Sequence, residues 1–371
     1  MCRLEDYIRR MWDYREGKPG ARIVQKEFWL MCADKWIEQG HITSEADVER
    51  ICRLDPPAIF DLMGLGWTQA EMCPLFEAKV LEDLGEHELV QDSVGRKVLF
   101  FKGRRNGFMP EYRDHPVKDI ATLEENISWR LDPKTPERWK GRDELLTQAR
   151  AAQTEGIVIR QKSIGGFMYL RSLMGPEDLL YKFIDEPELI HRCMELWFNL
   201  ADAVIADDQK YVDLDEIFLA EDICYNHGPL ISPDMIREFL FPYYQQLLAN
   251  AKARQRDKSR KIYFQLDTDG DCRPVIPLYK KELGMDILSP LEIASGSDPL
   301  EIAAAWPDLR INGGFDKRIL AQGRDAIARE VDRIMPVLTA RGGYYPTCDH
   351  GVPEEVRFED YVYFRELLHQ F

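Results

Sequence analysis

Short apolar runs alternate with longer amphipathic stretches between residues 141 and 371 of the chain. The runs have the length and the polar flanks of buried parallel strands, whereas the longer stretches carry apolar residues at the three- and four-residue spacing of helices. We predict strands at residues 157–159, 217–220, 262–266, 286–288, 309–311 and 343–345. We predict amphipathic helices at residues 186–207, 232–254 and 325–340.

The alternation of strands with helices indicates a parallel sheet covered by helices. Together with strands from the N-terminal half, these units favour an α/β fold of the (β/α)8 (TIM) barrel type with N-terminal additions. A doubly wound open sheet is the alternative, although no strand is followed by the Gly-x-Gly-x-x-Gly sequence of its dinucleotide-binding form. We interpret residues 1–371 as one domain, with regular β/α units at 141–371 and an N-terminal part at 1–110 that holds helices and a hairpin.

The composition of the chain indicates which kinds of partner and which cellular compartment to expect. The chain has 65 acidic and 49 basic residues and a formal net charge of −16, which argues against nucleic acid and anionic membranes as partners. No apolar run approaches the length of a membrane span, and the first residues are charged where a signal peptide would be apolar. The eight cysteines include no Cys-x-x-Cys pair. Reduced thiols in a cytoplasmic protein are therefore expected.

Ionisable side chains follow the predicted strands, at the face of a barrel where active sites lie. We predict Glu221, Asp222 and Asp269 as catalytic residues. We predict that substrate is bound by Arg22, Arg160, Tyr225, His227, Glu292 and Asp316. Any one of these acids could instead cap a helix, so the prediction depends on their convergence at one face.

A candidate metal site combines the ends of two strands. Cys348 and His350 share a face if the last strand runs on, and Asp267 and Asp269 share a face two residues apart. A thiol, an imidazole and two carboxylates within one ligand shell would hold a divalent cation, with zinc the first candidate. The alternative is a buried cysteine followed by residues that cap a helix opening at Pro353.

Several segments together resemble the uroporphyrinogen decarboxylase superfamily, and more its corrinoid-dependent methyltransferase branch than the decarboxylases. The matching segments are residues 116–133, 165–177, 219–233, 266–271, 313–316 and 342–353. The resemblance implies a (β/α)8 barrel that is commonly dimeric and has its pocket at the C-terminal face. It also implies a zinc site built from His-x-Cys and a later cysteine. Cys348 matches the later cysteine, whereas Asp267 and Asp269 stand where the His-x-Cys pair is expected.

The methyltransferase branch implies transfer of a methyl group between a small methylated compound, or tetrahydrofolate, and a corrinoid protein that supplies the corrinoid. A homodimer is expected. One alternative is a decarboxylase of a porphyrinogen-like polycarboxylate held by Arg22, Arg160 and Lys162, although the arginine-rich segment of such enzymes is absent. The other is a tetrapyrrole or corrinoid binder without catalytic activity.

Overall fold

A computed structural model describes residues 3–103 and 111–371. The strands are β1 (Ile59–Met63), β2 (Lys79–Leu84), β3 (His87–Gln91), β4 (Lys97–Phe101), β5 (Glu111–Asp114), β6 (Val158–Ile164), β7 (Glu216–Ala220), β8 (Cys224–Tyr225), β9 (Gly228–Pro229), β10 (Tyr263–Thr268), β11 (Ile287–Pro290), β12 (Arg310–Asn312) and β13 (Tyr344–Tyr345). The α-helices are α1 (Arg3–Glu16), α2 (Ala33–Glu38), α3 (Glu45–Ile51), α4 (Ile120–Asn126), α5 (Arg142–Thr154), α6 (Gly166–Met174), α7 (Pro176–Asp185), α8 (Pro187–Asp208), α9 (Pro233–Met235), α10 (Phe241–Arg254), α11 (Ile276–Leu283), α12 (Pro299–Ala305), α13 (Lys317–Leu320), α14 (Arg324–Arg341) and α15 (Phe358–Leu368). In the described ranges, none of the helices combines the length and the apolarity needed to cross a membrane.

The central element is a curled parallel sheet of seven strands in the order β1-β6-β7-β10-β11-β12-β13. Each of the six strands predicted from residue 157 onward is present. Five agree with their predicted ends within two residues, whereas β6 runs to Ile164, five residues beyond the predicted end at residue 159. The predicted long helices correspond to α8, to α9 and α10, and to α14. The (β/α)8 barrel class is therefore confirmed, with strand ends gathered at one face as the class requires.

An extended N-terminal segment at residues 20–32 contacts the chain shortly before β1 and shortly after β13. On one side, Leu30 pairs with Val352 in a parallel bridge, and Cys32 donates from its backbone N–H to the Val352 carbonyl. On the other side, the Gln25 N–H donates to the Asp55 carboxylate, and the Asp55 N–H donates to the Gln25 carbonyl. The segment thus connects the chain that precedes the first strand of the sheet with the chain that follows the last one.

Helix α1 covers the end of the barrel at which the parallel strands begin. Its side chains Met11 and Tyr14 belong to a buried apolar cluster with Val158, Tyr263 and Ile287, which lie at the starts of three strands. Burial of aromatic and aliphatic side chains at this end excludes water from the barrel interior. Access to the interior is therefore left to the opposite end.

Buried charges continue from α1 into the barrel. The Arg15 guanidinium donates through Nε to Glu216 Oε2 at 2.9 Å, and both side chains are buried. The other Glu216 oxygen lies 3.5 Å from Arg160, which donates to both oxygens of Asp61 at 2.6 and 3.0 Å. The parallel register places Asp61, Arg160 and Glu216 side by side on β1, β6 and β7. Charges that leave water are tolerated inside a protein when they are paired in this way.

The N-terminal part adds a four-stranded antiparallel sheet, β2-β3-β4-β5. The predicted hairpin is confirmed as β3 and β4. The helix predicted to open at Pro353 is wrong, because residues 353–357 form a turn and α15 begins at Phe358.

We expect Arg15→Met to lower the free energy of unfolding by about 3–5 kcal/mol, because removal of one partner leaves a buried carboxylate poorly compensated. The matched control is Arg9→Met on the same helix, which removes a partly exposed ion pair with Asp6 and is expected to change stability by less than about 1 kcal/mol. Urea unfolding followed by tryptophan fluorescence measures both. Equal effects for the two variants would contradict a central role for the buried pair.

Candidate active site

A cavity of about 310 Å³ opens at the carboxyl ends of the strands, opposite α1. Its polar wall consists of Glu27, Thr68, Arg160, Lys162, Asp222, Gln265, Asp267, Asp269, Ser289, Asn312, Thr347 and His350. Its apolar wall consists of Phe28, Ile59, Trp67, Met168, Phe218, Pro290 and Tyr345. Apolar walls with a few converging polar groups are typical of sites for small molecules.

Three aspartates crowd one side of the cavity. Burial and the neighbouring Asp269 raise the pKa of Asp222 to about 7, and burial raises the pKa of Asp267 to about 6. Asp267 accepts a hydrogen bond from Ser289 Oγ at 2.5 Å, and Asp222 lies 3.2 Å from Arg171. Asp222 has a φ of 41°, a left-handed conformation that aspartate tolerates better than most residues. Carboxyls that change protonation near neutral pH are suited to proton transfer.

An imidazole completes this acidic side. His350 Nε2 lies 3.1 Å from Asp269 Oδ1, and this contact raises the pKa of the imidazole above its ordinary value. The buried Nδ1 of His350 has no hydrogen-bond partner in the part of the chain that the structure describes. The pair therefore favours a proton on the ring while one ring nitrogen remains unsatisfied.

The opposite side of the cavity carries a cation. Lys162 Nζ lies 3.2 Å from the centroid of the Trp67 ring, and burial together with the nearby Arg160 lowers the pKa of the amine to about 8. Lys162 follows Arg160 by two residues on β6, so that both side chains point into the barrel. The cavity is thus basic at its inner end and acidic toward the strand ends.

The predicted metal site is not assembled. Cys348 is fully buried outside the cavity lining, its backbone N–H donates to Glu27 Oε1 at 2.9 Å, and burial raises the pKa of its thiol. The expectation that Cys348 shares a face with His350 is wrong, because the strand ends at Tyr345 and the chain bends through residues 349–351. Within residues 3–103 and 111–371, no three His, Cys, Asp or Glu side chains are placed to hold a metal ion. The residues present therefore do not fit the predicted zinc centre.

The predicted catalytic residue Glu221 also lies outside the cavity lining. The Tyr244 hydroxyl lies 2.8 and 2.7 Å from its two carboxylate oxygens, the Phe167 N–H donates to it at 3.2 Å, and burial raises its pKa to about 7. A Cβ on Gly165 would meet a Glu221 oxygen at 1.8 Å, so the start of α6 packs directly on this carboxyl. Glu221 therefore positions α6 against β7.

Of the predicted substrate-binding residues, only Arg160 lines the cavity. Arg22 is exposed near Asp6, and Tyr225 contacts His227 on a two-stranded ribbon. The other two have local roles. Glu292 accepts the Gly270 N–H, and Asp316 caps α13 and pairs with Arg318.

Several lining residues are not among the predicted site residues, and Trp67 and Gln265 are the informative examples. Gln265 faces inward two residues before Asp267, so strand alternation would have identified it. Trp67 arrives from a loop after β1, and no local pattern connects that loop with the barrel.

Comparison with known proteins agrees with this architecture. A sequence family described as Uroporphyrinogen decarboxylase (URO-D) matches residues 106–371, more than half of the chain. No curated protein matches significantly. A methyltransferase from Methanosarcina mazei superimposes with a TM-score of 0.60 at 14% identity and covers 98% of each chain, so the two share a fold. Xylanase B from Clostridium stercorarium gives a TM-score of 0.35 at 13% identity over 60% of this chain and 75% of its own, too low to support an inference.

We expect Asp267→Asn to stabilise the protein by about 1–3 kcal/mol at pH 8. The folded-state pKa of Asp267 is raised to about 6. Its ionised form therefore destabilises the fold above that pH, whereas below the unfolded value near 3.8 the effect disappears. Urea unfolding at pH 8 and pH 4 measures the difference.

The matched control is Asp271→Asn in the same loop. The Asp271 pKa is lowered by its hydrogen bonds from Arg273, so this variant is expected to lose a little stability at pH 8. Destabilisation by Asp267→Asn at pH 8 would contradict the conclusion that the ionised Asp267 carboxylate destabilises the fold.

Proposed function

We propose a function for this chain, which belongs to the uroporphyrinogen decarboxylase family. The protein is an enzyme that transfers a methyl group between a small methylated compound and a corrinoid protein. The observation that carries the proposal is the His350–Asp269 pair, which stands beside two carboxyls of raised pKa in one cavity. The shared fold with a methyltransferase supports the reaction class. The small cavity supports a small substrate.

Proton supply is the step that these residues can perform. When a methyl group leaves an ether oxygen or an amine nitrogen, the heteroatom gains electron density and requires a proton. The His350 ring favours its protonated form because it is hydrogen-bonded to Asp269. The pair can therefore hold a proton between Nε2 and Oδ1 and deliver it to the departing heteroatom.

Asp222 and Asp267 sustain the proton supply. Because burial and repulsion from Asp269 keep their pKa values near neutrality, each carboxyl can receive or return a proton at little free-energy difference. Arg171 holds Asp222 in place from α6. In the reverse direction the same groups accept the proton from the heteroatom that receives the methyl group.

The corrinoid belongs to the partner protein, where its cobalt would accept or donate the methyl group. Phe28, which lines the cavity, and its neighbour Trp29 are both about half exposed. An exposed aromatic pair beside a cavity supports docking of a partner over the opening. We include in the proposal a homodimer and a cytoplasmic location, which agrees with the seven free cysteines of the described residues.

The decarboxylase alternative receives less support from the cavity. A porphyrinogen polycarboxylate needs several cations and a large pocket, whereas about 310 Å³ lies at the small end of the range for ligand sites, roughly 300–1,000 Å³. Arg22 is exposed outside the cavity, and Arg160 is neutralised by Asp61. Lys162 alone of the three predicted anion-binding residues faces the cavity without a carboxylate partner in the described ranges.

The test is methyl transfer to cob(I)alamin from methoxy, methylamine and methylthiol donors, followed by the absorbance of methylcobalamin. We expect His350→Gln and Asp269→Asn to lower kcat by about 10²–10⁴-fold with the best donor, the contribution typical of a general acid. The matched control is His191→Gln, which removes an imidazole that contacts Tyr243 between α8 and α10. The control is expected to keep wild-type activity.

Cys348→Ala tests the role of the thiol. Because Cys348 is buried away from the cavity, we expect this variant to retain methyl transfer within a few-fold. A loss of methyl-transfer activity as large as that of His350→Gln would show that Cys348 takes part in the active site. No transfer from any donor by the wild-type protein would count against the proposed function, and tight cobalamin binding without turnover would favour a binder.

A further inference from the structure

Lys162 is an unusual lysine because it faces a cavity without a counter-ion in contact. In the described parts of the chain, no carboxylate lies within ion-pairing distance of its Nζ, and its closest recorded interaction is with the face of the Trp67 ring. A second aromatic ring, Phe218, lies 5.3 Å from the same nitrogen. Lysines away from bulk water normally have an acidic partner. The partner of this amine is therefore expected to come from outside the chain.

The charges around Lys162 leave its own charge uncompensated. Its neighbour Arg160 is held by both oxygens of Asp61 at 2.6 and 3.0 Å and approaches Glu216 at 3.5 Å. Those acids are thus committed to Arg160, and also to Arg15 in the case of Glu216. Asp267 is near enough to affect the pKa of Lys162 but accepts its hydrogen bond from Ser289. The inner end of the cavity therefore offers one unpaired cation.

We propose that Lys162 Nζ binds the carboxylate of a small methylated monocarboxylic acid, which is the methyl donor or its demethylated product. The inference rests on the proposed function and names its substrate class. Asp267 lines the same cavity as Lys162 and His350 and is close enough to interact electrostatically with both. A ligand anchored by its carboxylate at Lys162 extends along the cavity toward the proton-supplying pair His350–Asp269.

The aromatic walls beside Lys162 select the body of this ligand. The rings of Trp67 and Phe218 line the cavity next to Lys162, so a ligand bound to Lys162 meets aromatic surface beside its carboxylate. A flat or short apolar body fits such walls, whereas a second carboxylate would meet the aspartates at the other end and be repelled. The site therefore selects one acid group and one methylated oxygen or nitrogen on opposite ends of the ligand.

The protonation of Lys162 gives the proposal a second measurable property. The groups that face Lys162 are Arg160, Asp61 and Asp267, and burial with the Arg160 charge holds the pKa of the amine near 8. A bound carboxylate favours the charged amine and raises that pKa, so binding takes up protons near pH 8. The affinity for the acid is therefore highest below pH 8 and falls as the pH rises above it.

The experiment is isothermal titration of the full chain, without corrinoid, with two matched pairs of probes: 4-methoxybenzoate with 4-methoxybenzamide, and methoxyacetate with methoxyacetamide. At pH 7 we expect at least one acid to bind about tenfold or more tightly than its amide, the strength typical of a charge-assisted contact. The preference for that acid is expected to decrease between pH 7 and pH 9.5. Titration in buffers of different ionisation enthalpy at pH 8 is expected to show proton uptake.

Three variants locate the anion site. Lys162→Gln is expected to lose the preference for the acid, and Lys162→Arg to keep it without the decrease above pH 8, since arginine stays charged. The matched control is Lys281→Gln, which removes a lysine that lies near the Trp306 ring outside the barrel and is expected to bind as wild type. Thermal unfolding of each variant checks that it is folded.

The outcomes separate this inference from the proposed function. Acids and amides of both pairs binding alike, or an acid preference that survives Lys162→Gln, would overturn the role of Lys162. Acid binding that depends on Lys162, with no methyl transfer to cob(I)alamin, would uphold the anion site and reject the methyltransferase. Methyl transfer from neutral donors that is insensitive to Lys162→Gln would uphold the enzyme and reject the carboxylic acid as its substrate.

Discussion

The barrel depends on opposite charges that are buried together in its interior. Arg15 enters from α1, which lies outside the strands, and meets Glu216 at the start of β7. Glu216 in turn faces Arg160, so that one carboxylate is shared by two guanidinium groups. This arrangement fixes the floor of the barrel and the first inward layer of its side chains. It also pairs Asp61 and Glu216 with arginines, so that these two acids do not neutralise Lys162, which lies two residues further along β6.

The cavity is therefore basic at one end and acidic at the other, because inward-facing residues at different heights of the barrel carry opposite charges. Basic side chains lie on β6, whereas the acids lie near the carboxyl ends of β7 and β10. The parallel register brings the two groups to one small cavity, where charges interact more strongly than in water. Burial is the main cause of the raised pKa values of Asp222 and Asp267 and of the lowered pKa of Lys162, and a neighbouring like charge adds to the shift in each case.

Sequence patterns predicted the strands and part of the site. The physical reasons for these predictions also explain why other site residues were not predicted. The parallel strands were predictable because both faces of such a sheet are buried, which makes the runs apolar and short. Asp222, Asp267, Asp269 and His350 were predictable because the strand ends meet at one face of a barrel. Arg160 lies within β6 rather than at its end, and it was predicted as a basic residue next to an apolar run. Cys348 and Glu221 failed because single turns after β13 and β7 decide which way a side chain points. Trp67 and Phe28 could not be placed because they reach the cavity through contacts distant in sequence.

The interlocking of early and late segments has a consequence for how the chain folds during synthesis. The Arg15 carbonyl accepts a hydrogen bond from Arg310, and Arg365 of α15 donates to the Gln25 side chain. These contacts join residues 295 and 340 positions apart, so α1 and residues 20–32 form them only after nearly the whole chain has left the ribosome. Native contacts of such long range slow folding and leave apolar surface exposed in the meantime. We therefore expect the nascent barrel to be prone to aggregation until its last strand is synthesised.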